Sequence, residues 1–166
     1  KAFLTFVLNN KNMDITIRKA QKEDMASIFD LVVELAIYER APQAVKTNVT
    51  DFENAFDENI FEVLVATIDN RVIGMALFYM TFSTWRGKCI YLEDFYVVPE
   101  YRQSGIGQQL FNRFIDESKL LNARMVKWQV LDFNDPALAF YRKNNATIES
   151  NWWNGKIFFE NNKDNS

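Results

Sequence analysis

The 166-residue chain contains no histidine and a single cysteine, Cys89. The lack of histidine excludes a histidine-based catalytic triad, a histidine general base and any histidine-ligated metal site. One cysteine cannot form an internal disulfide or supply a cysteine-based zinc site, so we expect no metal. A lone free cysteine suits the reducing cytoplasm, which is the location we expect.

The chain also lacks a large excess of positive charge and lacks long apolar runs. Its formal net charge is −3, which argues against a broad nucleic-acid-binding surface. An anionic ligand could still bind, because a few local donors suffice for a pyrophosphate. No apolar run approaches the roughly 20 residues of a membrane span. We therefore expect neither nucleic acid nor a membrane as a partner.

The length and composition favour one domain with its own core. Hydrophobic residues make up 48% of the chain, and 15 of its residues are phenylalanine. Met13 opens a clear strand pattern, so we interpret residues 1–12 as an N-terminal extension or a remnant of protein expression. Residues 13–162 are then the single domain, and 163–166 a tail.

Hydrophobic periodicity predicts a mixture of strands and helices in the order β-α-α-β-β-β-α-β-α-β-β. Three successive strands joined by short turns should be antiparallel, and the next helix returns the chain to a parallel strand. The prediction is an α+β sandwich (α/β sandwich) with a mixed, mostly antiparallel central sheet and about four helices. The predicted strands are 13–19, 61–68, 72–81, 89–98, 125–131, 147–150 and 156–160, and the principal helices are 25–36, one opened by a capping box at 50–53, 105–121 and one from 135.

A glycine-containing turn, Arg102-Gln103-Ser104-Gly105-Ile106-Gly107, follows a predicted strand and opens a helix. Its glycines allow a close backbone approach, and the amides and dipole at a helix start attract anions. A pyrophosphate is the expected ligand, with a merely flexible strand-to-helix turn as the alternative. The chain has neither a P-loop nor a dinucleotide-binding fingerprint.

Residues 97–107 resemble the signature of the GNAT acetyltransferase superfamily, Arg/Gln-x-x-Gly-x-Gly/Ala. Residues 134–141 resemble its second signature, an asparagine followed by a helix with a Phe-Tyr pair. Three further segments resemble the spermidine/spermine (diamine) N-acetyltransferase branch: 34–39, 83–88 and 91–97. Ser-Thr-Trp at 83–85 is closer to the thialysine members, since polyamine members carry an aspartate in place of Ser83. Asn145 stands where the family has glycine, and asparagine tolerates positive φ there.

The resemblance implies an acetyl-CoA-dependent N-acetyltransferase acting on a primary amine of a small cationic substrate, such as a thialysine-like amino acid or a short diamine. It also implies direct attack in a ternary complex and a homodimer. Cys89 has no histidine partner that would favour a covalent carrier. The alternatives are acetylation of a protein or peptide amine, or a non-catalytic acyl-CoA-binding module. An apolar cluster at 152–159 is compatible with a dimer contact or with core packing.

Two residues match the chemistry of amine acetylation. An alkyl ammonium, with a pKa near 10.4, must lose a proton, and the departing thiolate must gain one. By resemblance, Tyr141 is the general acid and Glu93 the proton acceptor. The alternative for Tyr141 is a buried aromatic residue on an amphipathic helix, and the alternative for Glu93 is a solvated carboxylate on a strand face. Glu93 and Asp94 point to opposite faces unless a bulge intervenes, and GNAT proteins place a bulge in this strand.

The resemblance also assigns binding roles. Backbone amides of the bulged strand and the glycine turn would hold the cofactor, and acidic and aromatic side chains the substrate cation. For Glu39, Trp85 and Arg102, the respective alternatives are a solvated helix end, a packed loop anchor and a surface role. The predicted cofactor-binding residues are Phe95, Tyr96, Val97, Arg102, Gln103, Ser104, Gly105, Ile106, Gly107, Gln108, Asn134 and Ala137. The predicted substrate-binding residues are Tyr38, Glu39, Trp85, Glu93 and Asp94.

Overall fold

The computed structural model describes residues 14–159. Over this range the chain divides into two compact units, residues 14–129 and residues 130–159. The predicted N-terminal extension, 1–12, and the predicted tail, 163–166, lie outside the described residues. The single-domain interpretation of 13–162 stays a prediction.

The larger unit is built around one five-stranded sheet with the strand order β1-β2-β3-β4-β5. Its first four strands are antiparallel neighbours, and β5 runs parallel to β4. The strands are β1 Ile15–Lys19, β2 Glu62–Ile68, β3 Arg71–Ser83, β4 Gly87–Val97 and β5 Met125–Lys127. The helices of this unit are α1 Met25–Tyr38, α2 Val49–Asp57 and α3 Ile106–Leu120, and the smaller unit holds α4 Asp135–Lys143. This architecture confirms the predicted fold class.

Two helices cover the two faces of the sheet. On one face, Phe78 of β3 and Phe95 of β4 contact Phe114 and Phe111 of α3, with ring centroids 5.3 and 5.7 Å apart. On the other face, buried residues of α1 recur at helical spacing, at Met25, Ile28, Leu31 and Leu35. Because both faces are covered, β2 and most of β3 are buried as continuous runs rather than in alternation.

The start of α2 differs from the predicted capping box at Thr50. The N-cap is Asn48, whose Oδ1 accepts a hydrogen bond from the Asp51 amide at 3.2 Å. In return, the Asn48 amide donates to Asp51 Oδ2 at 2.9 Å. The same reciprocal motif is therefore formed two residues earlier. Thr50 lies within the helix, because Asn48 and Asp51 already satisfy its first amides.

The predicted closing hairpin, 147–150 and 156–160, is wrong over the residues that the structure describes. Residues 146–159 contain no strand. Core packing was one alternative for the apolar cluster at 152–159, but its side chains are exposed, Trp153 by 99% and Phe159 by 87%. An Asn-Gly pair favours a turn through local geometry alone. A two-stranded hairpin is only marginally stable in water unless it packs against a further strand or a helix. The strand predicted at 125–131 likewise ends early, at Lys127, where its ladder with β4 ends.

Candidate active site

A β-bulge in β4 is the central feature of the site. In the ladder between β3 and β4, Leu77 lies opposite Asp94, whereas Phe78 lies opposite Leu92. Glu93 is therefore an extra residue of β4 with no opposite partner in this ladder. The sequence left open whether a bulge intervenes between Glu93 and Asp94, and the structure shows that one does.

The bulge places two carboxylates on the same face of the sheet. Glu93 shares the face of Tyr91, two residues before it, and Tyr91 lies opposite Tyr79 of β3. Asp94 lies opposite Leu77, which shares the face of Tyr79. In an unbulged strand, Glu93 and Asp94 would point in opposite directions. One added residue thus concentrates negative charge on the face that α1 covers.

Glu39, the C-cap residue of α1, joins this pair electrostatically. Burial, followed by the negative charges of Glu93 and Glu39, raises the pKa of Asp94 from 3.8 to about 7. Burial also raises the pKa of Glu39. We call Glu39, Glu93 and Asp94 the acidic cluster. Like charges at partly desolvated positions attract a cation and allow a carboxyl to exchange a proton near neutral pH.

Glu93 is exposed, but its side chain is held by a tyrosine. Tyr79 Oη donates a hydrogen bond to Glu93 Oε2 at 2.8 Å. The Tyr79 ring stacks on Tyr91, with centroids 5.4 Å apart and planes inclined by 21°. The sequence analysis missed Tyr79, because its link to Glu93 depends on the ladder register around the bulge, and spacing along the chain does not reveal it.

Trp85, predicted to bind substrate, lies in the turn between β3 and β4 and is 83% exposed. Ser83 shapes this turn, since its Oγ accepts hydrogen bonds from the amides of Trp85 and Arg86 at 3.3 and 3.1 Å. The alternative of a packed loop anchor is not what the structure shows. The substrate role of Trp85 stays a prediction.

β5 runs beside only the first part of β4. Their parallel ladder begins at the pair Cys89 and Met125 and ends at Tyr91 and Lys127. The rest of β4, from Leu92 to Val97, continues past this ladder. The ladder along this edge of β4 therefore ends just before the bulge.

The backbone amides of Phe95 and Val97 are directed to this edge. The Val98 amide donates to the Ile73 carbonyl at 3.0 Å, so it faces β3. Successive amides of a strand alternate in direction, which turns Val97 and Phe95 away from β3. Consistent with this, the Val97 carbonyl accepts a bond from Arg102 Nε at 2.8 Å. The two residues predicted to hold the thioester arm thus present their amides together.

Arg102 connects the end of β4 to the end of α1. Besides bonding to Val97, its guanidinium lies 4.8 Å from the ring centroid of Tyr38 and 5.1 Å from that of Tyr96. Tyr96 is buried, and its hydroxyl donates to Glu34 Oε2 of α1 at 3.3 Å. These contacts give Tyr38, Tyr96 and Arg102 a shared structural role beside the glycine turn. Their predicted binding roles stay predictions.

The glycine turn has the backbone geometry expected of an anion site. Gly105 is the N-cap of α3 with φ 87°, and Gln103 has φ 60°. Because the N-cap residue is a glycine, it has no side chain that could cap the helix. A Cβ placed on Gly105 would meet no atom within 4 Å, so the space above it is open. The side chain of Ile106 is fully buried and anchors the first turn, which leaves its backbone as the candidate for binding.

In the smaller unit, Asn134 and Ala137 form the N-terminal cap of α4. Asn134 Oδ1 accepts a hydrogen bond from the Ala137 amide at 3.3 Å, and Pro136 lies in the first turn. This cap accounts for the spacing of the second signature. Tyr141 is one of the two buried residues of the helix. Beyond the helix, Asn145 has φ 61°, which confirms the positive φ expected there.

Within residues 14–159, none of the helices is long and apolar enough to cross a membrane. The same range contains no group of three or more Cys, Asp or Glu side chains arranged to hold a metal ion.

Comparison with known proteins identifies the family. Residues 22–146 match the profile of the "Acetyltransferase (GNAT) family". The chain belongs to this family. It is 34% identical over 138 residues to the thialysine N-epsilon-acetyltransferase of Bos taurus, a match that covers 77% of this chain and 81% of the bovine protein. The protein is therefore an N-acetyltransferase.

Two further similarities agree with this assignment. The human spermidine/spermine N(1)-acetyltransferase-like protein 1 is 28% identical over 148 residues, which cover 82% of this chain and 21% of the human protein. A solved aminoglycoside acetyltransferase, meta-AAC0020 from an uncultured soil metagenomic sample, in complex with trehalose, superposes with a TM-score of 0.75. It covers 90% of this chain and 99% of its own at 19% identity, which supports the fold alone.

The raised pKa of Asp94 predicts how Asp94→Asn changes the pH dependence of stability. Between pH 3.8 and about 7 the folded state holds a proton that the unfolded state has lost. This stabilisation is complete below pH 3.8 and is lost as the pH rises through about 7. Relative to the wild type, Asp94→Asn should therefore become progressively more stable across this window.

Urea unfolding of both proteins at several pH values measures this difference. Glu100→Gln, at an exposed carboxyl just beyond β4, is the matched control and should keep the wild-type slope. A constant difference between wild type and Asp94→Asn at every pH would contradict the prediction.

Proposed function

We propose that the protein is an acetyl-CoA-dependent N-acetyltransferase that acetylates a primary amine of a small cationic substrate by direct attack in a ternary complex. The substrate class is a thialysine-like amino acid or a short diamine. The observation that carries the proposal is the bulge that places Glu93 and Asp94 on one face, within the electrostatic reach of Glu39. The similarity to thialysine acetyltransferases supports the same class.

The acidic cluster supports a cationic substrate. The charges of Glu93 and Glu39 raise the pKa of Asp94, and a positive charge that enters beside Asp94 relieves this repulsion. Trp85 is exposed in the turn that follows β3, and an indole face attracts an alkyl ammonium. Ser83 supplies no charge where polyamine enzymes carry an aspartate, which favours a substrate with fewer positive charges than a long polyamine.

The proton steps follow from the chemistry of the amine. An ammonium has no lone pair, so an N–H bond must break before attack, and Glu93 takes this proton through water. The nitrogen lone pair then forms the amide bond as the C–S bond of the thioester breaks. The departing thiolate takes its proton from the hydroxyl of Tyr141, a role that rests on the family resemblance. The second N–H proton leaves the nitrogen as the amide forms, and through solvent it restores the Tyr141 hydroxyl.

The glycine turn is suited to a pyrophosphate. The N-cap of α3 is a glycine without a capping side chain, the space above Gly105 is open, and a Cβ on Gly107 would meet only Val97 Cγ2, at 3.9 Å. Backbone amides of residues 103–108 would hold the pyrophosphate, and the helix dipole would favour its charge. The amides of Phe95 and Val97 would bind the pantetheine arm and polarise the acetyl carbonyl. Asn134 and Ala137 keep their proposed place near that arm from the resemblance.

Direct transfer is supported by the position of the one thiol. Cys89 is fully buried in β4, and its Sγ donates to the Gly87 carbonyl at 3.2 Å. A thiol in this position has no access to a thioester and no histidine to ionise it. We propose in addition a homodimer in the cytoplasm, with no nucleic-acid or membrane partner. The homodimer rests on the family resemblance, whereas the location and the lack of these partners rest on composition.

A panel of amines tests the substrate class. With acetyl-CoA, thialysine, lysine, ornithine and putrescine should release CoA thiol with higher kcat/KM than spermidine, because the acidic cluster accepts a short cation. A lysine-containing peptide is the control for the alternative acceptor class. Turnover on the peptide alone would contradict the proposed substrate. Acetyl-CoA binding without turnover of any amine would identify a binding module instead.

Gly105→Ala tests the pyrophosphate site. The added methyl enters the open space above the turn at φ 87°, a conformation that costs an alanine about 1–2 kcal/mol. The KM for acetyl-CoA should rise about tenfold, equivalent to ~1.4 kcal/mol. Gly155→Ala, where an added Cβ also meets nothing, is the matched control and should leave this KM unchanged. An unchanged KM in Gly105→Ala would remove the turn from the binding site.

Tyr141→Phe tests the general acid. Removal of the hydroxyl should lower kcat by about 100-fold, since the thiolate then leaves without a proton donor. Acetyl-CoA binding, measured by calorimetry, should hardly change. Tyr101→Phe is the control, because the hydrogen bonds of Tyr101 within residues 14–159 use its backbone amide and carbonyl. A normal kcat in Tyr141→Phe would exclude the proposed role.

A further inference from the structure

Glu93 occupies a position where a side chain is poorly restrained. It is the extra residue of the bulge, it is exposed, and no residue of β3 lies opposite it. A glutamate in such a position has several rotamers of similar energy, and fixing one of them costs entropy. Proton transfer requires the accepting carboxylate oxygen to be held at a fixed position relative to the donor. A freely rotating glutamate side chain is therefore a poor proton acceptor.

Tyr79 removes this freedom. Its hydroxyl donates to Glu93 Oε2 at 2.8 Å, and within residues 14–159 it is the one hydrogen-bond partner of the Glu93 side chain. The phenol is itself rigid, because its ring stacks on Tyr91, its partner across the ladder. Lys127 of β5 lies over the Tyr91 ring, with Nζ 5.8 Å from the centroid. Three neighbouring strands thus support one hydroxyl.

Phenolic and acidic groups surround Glu93. The groups that face it are Tyr79 of β3, Tyr91 and Asp94 of β4, and, through Asp94, Glu39 at the end of α1. Burial and the bond to Glu93 raise the pKa of Tyr79, so its phenol keeps its proton and remains a donor throughout the neutral range.

We propose that Tyr79 is a positioning residue for catalysis, whose hydroxyl fixes Oε2 of Glu93 and leaves Oε1 to accept the substrate proton. The inference rests on the proposed function, in which Glu93 is the proton acceptor. In this step the N–H bond of the ammonium breaks, water relays the proton, and an O–H bond forms at Oε1. Tyr79 keeps its own proton and its bond to Oε2 throughout.

Tyr79→Phe is the direct test, because it retains the ring and its stacking on Tyr91 while it removes the hydroxyl. Loss of a hydrogen bond to a charged group should lower kcat roughly tenfold. The KM for acetyl-CoA should not change. The acid limb of the kcat/KM profile should move to higher pH, since the charged form of the acceptor loses a stabilising donor. A merely structural role of Tyr79 would not move this limb.

A double-mutant cycle separates action through Glu93 from an independent effect. The four proteins are the wild type, Tyr79→Phe, Glu93→Gln and the double variant, each checked for thermal unfolding. If Tyr79 acts through Glu93, the double variant should be no slower than Glu93→Gln. Multiplied effects, or a Tyr79→Phe profile identical to that of the wild type, would overturn the inference.

The same double-mutant cycle distinguishes a failure of this inference from a failure of the proposed function on which it rests. A wild type that acetylates no amine refutes the proposed function and the inference with it. A wild type that is active and unaffected by Glu93→Gln refutes the assigned acceptor, and Tyr79 then has nothing to position. If Glu93→Gln is slow and Tyr79→Phe retains full rate, the inference alone fails. Tyr101→Phe again serves as the control for removal of a phenol.

Discussion

One extra residue in β4 determines the chemistry of the larger unit. Because Glu93 has no partner in the ladder with β3, the strand shifts register, and Asp94 comes to the same face as Glu93. The shift lies just beyond the last residue pair between β4 and β5, so the amides of Phe95 and Val97 face away from β3 past the end of that ladder. The acidic cluster and the amide pair are thus two consequences of a single irregularity in an otherwise regular sheet.

The bulge in β4 is tolerated because side chains pack against the sheet on both of its faces. On one face, the phenylalanine contacts between the sheet and α3 bury the strands beside the bulge. On the other face, Arg102 bonds to the Val97 carbonyl and stacks on Tyr38 and Tyr96, which ties the strand end to α1. A bulge sacrifices local pairing, and packing on both faces offsets that loss. Rigid packing around the end of β4 suits a site in which backbone amides bind the ligand.

The fold was largely predictable because its signals are periodic. Alternation, helical spacing and helix-start signals located the five strands and four α-helices of residues 14–159, with bounds within about four residues of those observed. The failures were signals that depend on a distant partner. The Asn154-Gly155 turn predicts a hairpin, yet residues 146–159 form no strand. The cap of α2 was misplaced because Asn48 and Thr50 begin overlapping motifs of equal local quality.

The sequence by itself determined the residue types of the site and their order along the chain: the glycine turn, the Glu93-Asp94 pair and the absence of any histidine. These follow from local patterns and from a family resemblance carried by contiguous motifs. Only the tertiary structure decided that both carboxylates share one face, that Glu39 adds its charge to them, and that Tyr79 holds Glu93. Each of these depends on strand register or helix packing, and those are set by contacts between residues far apart in sequence.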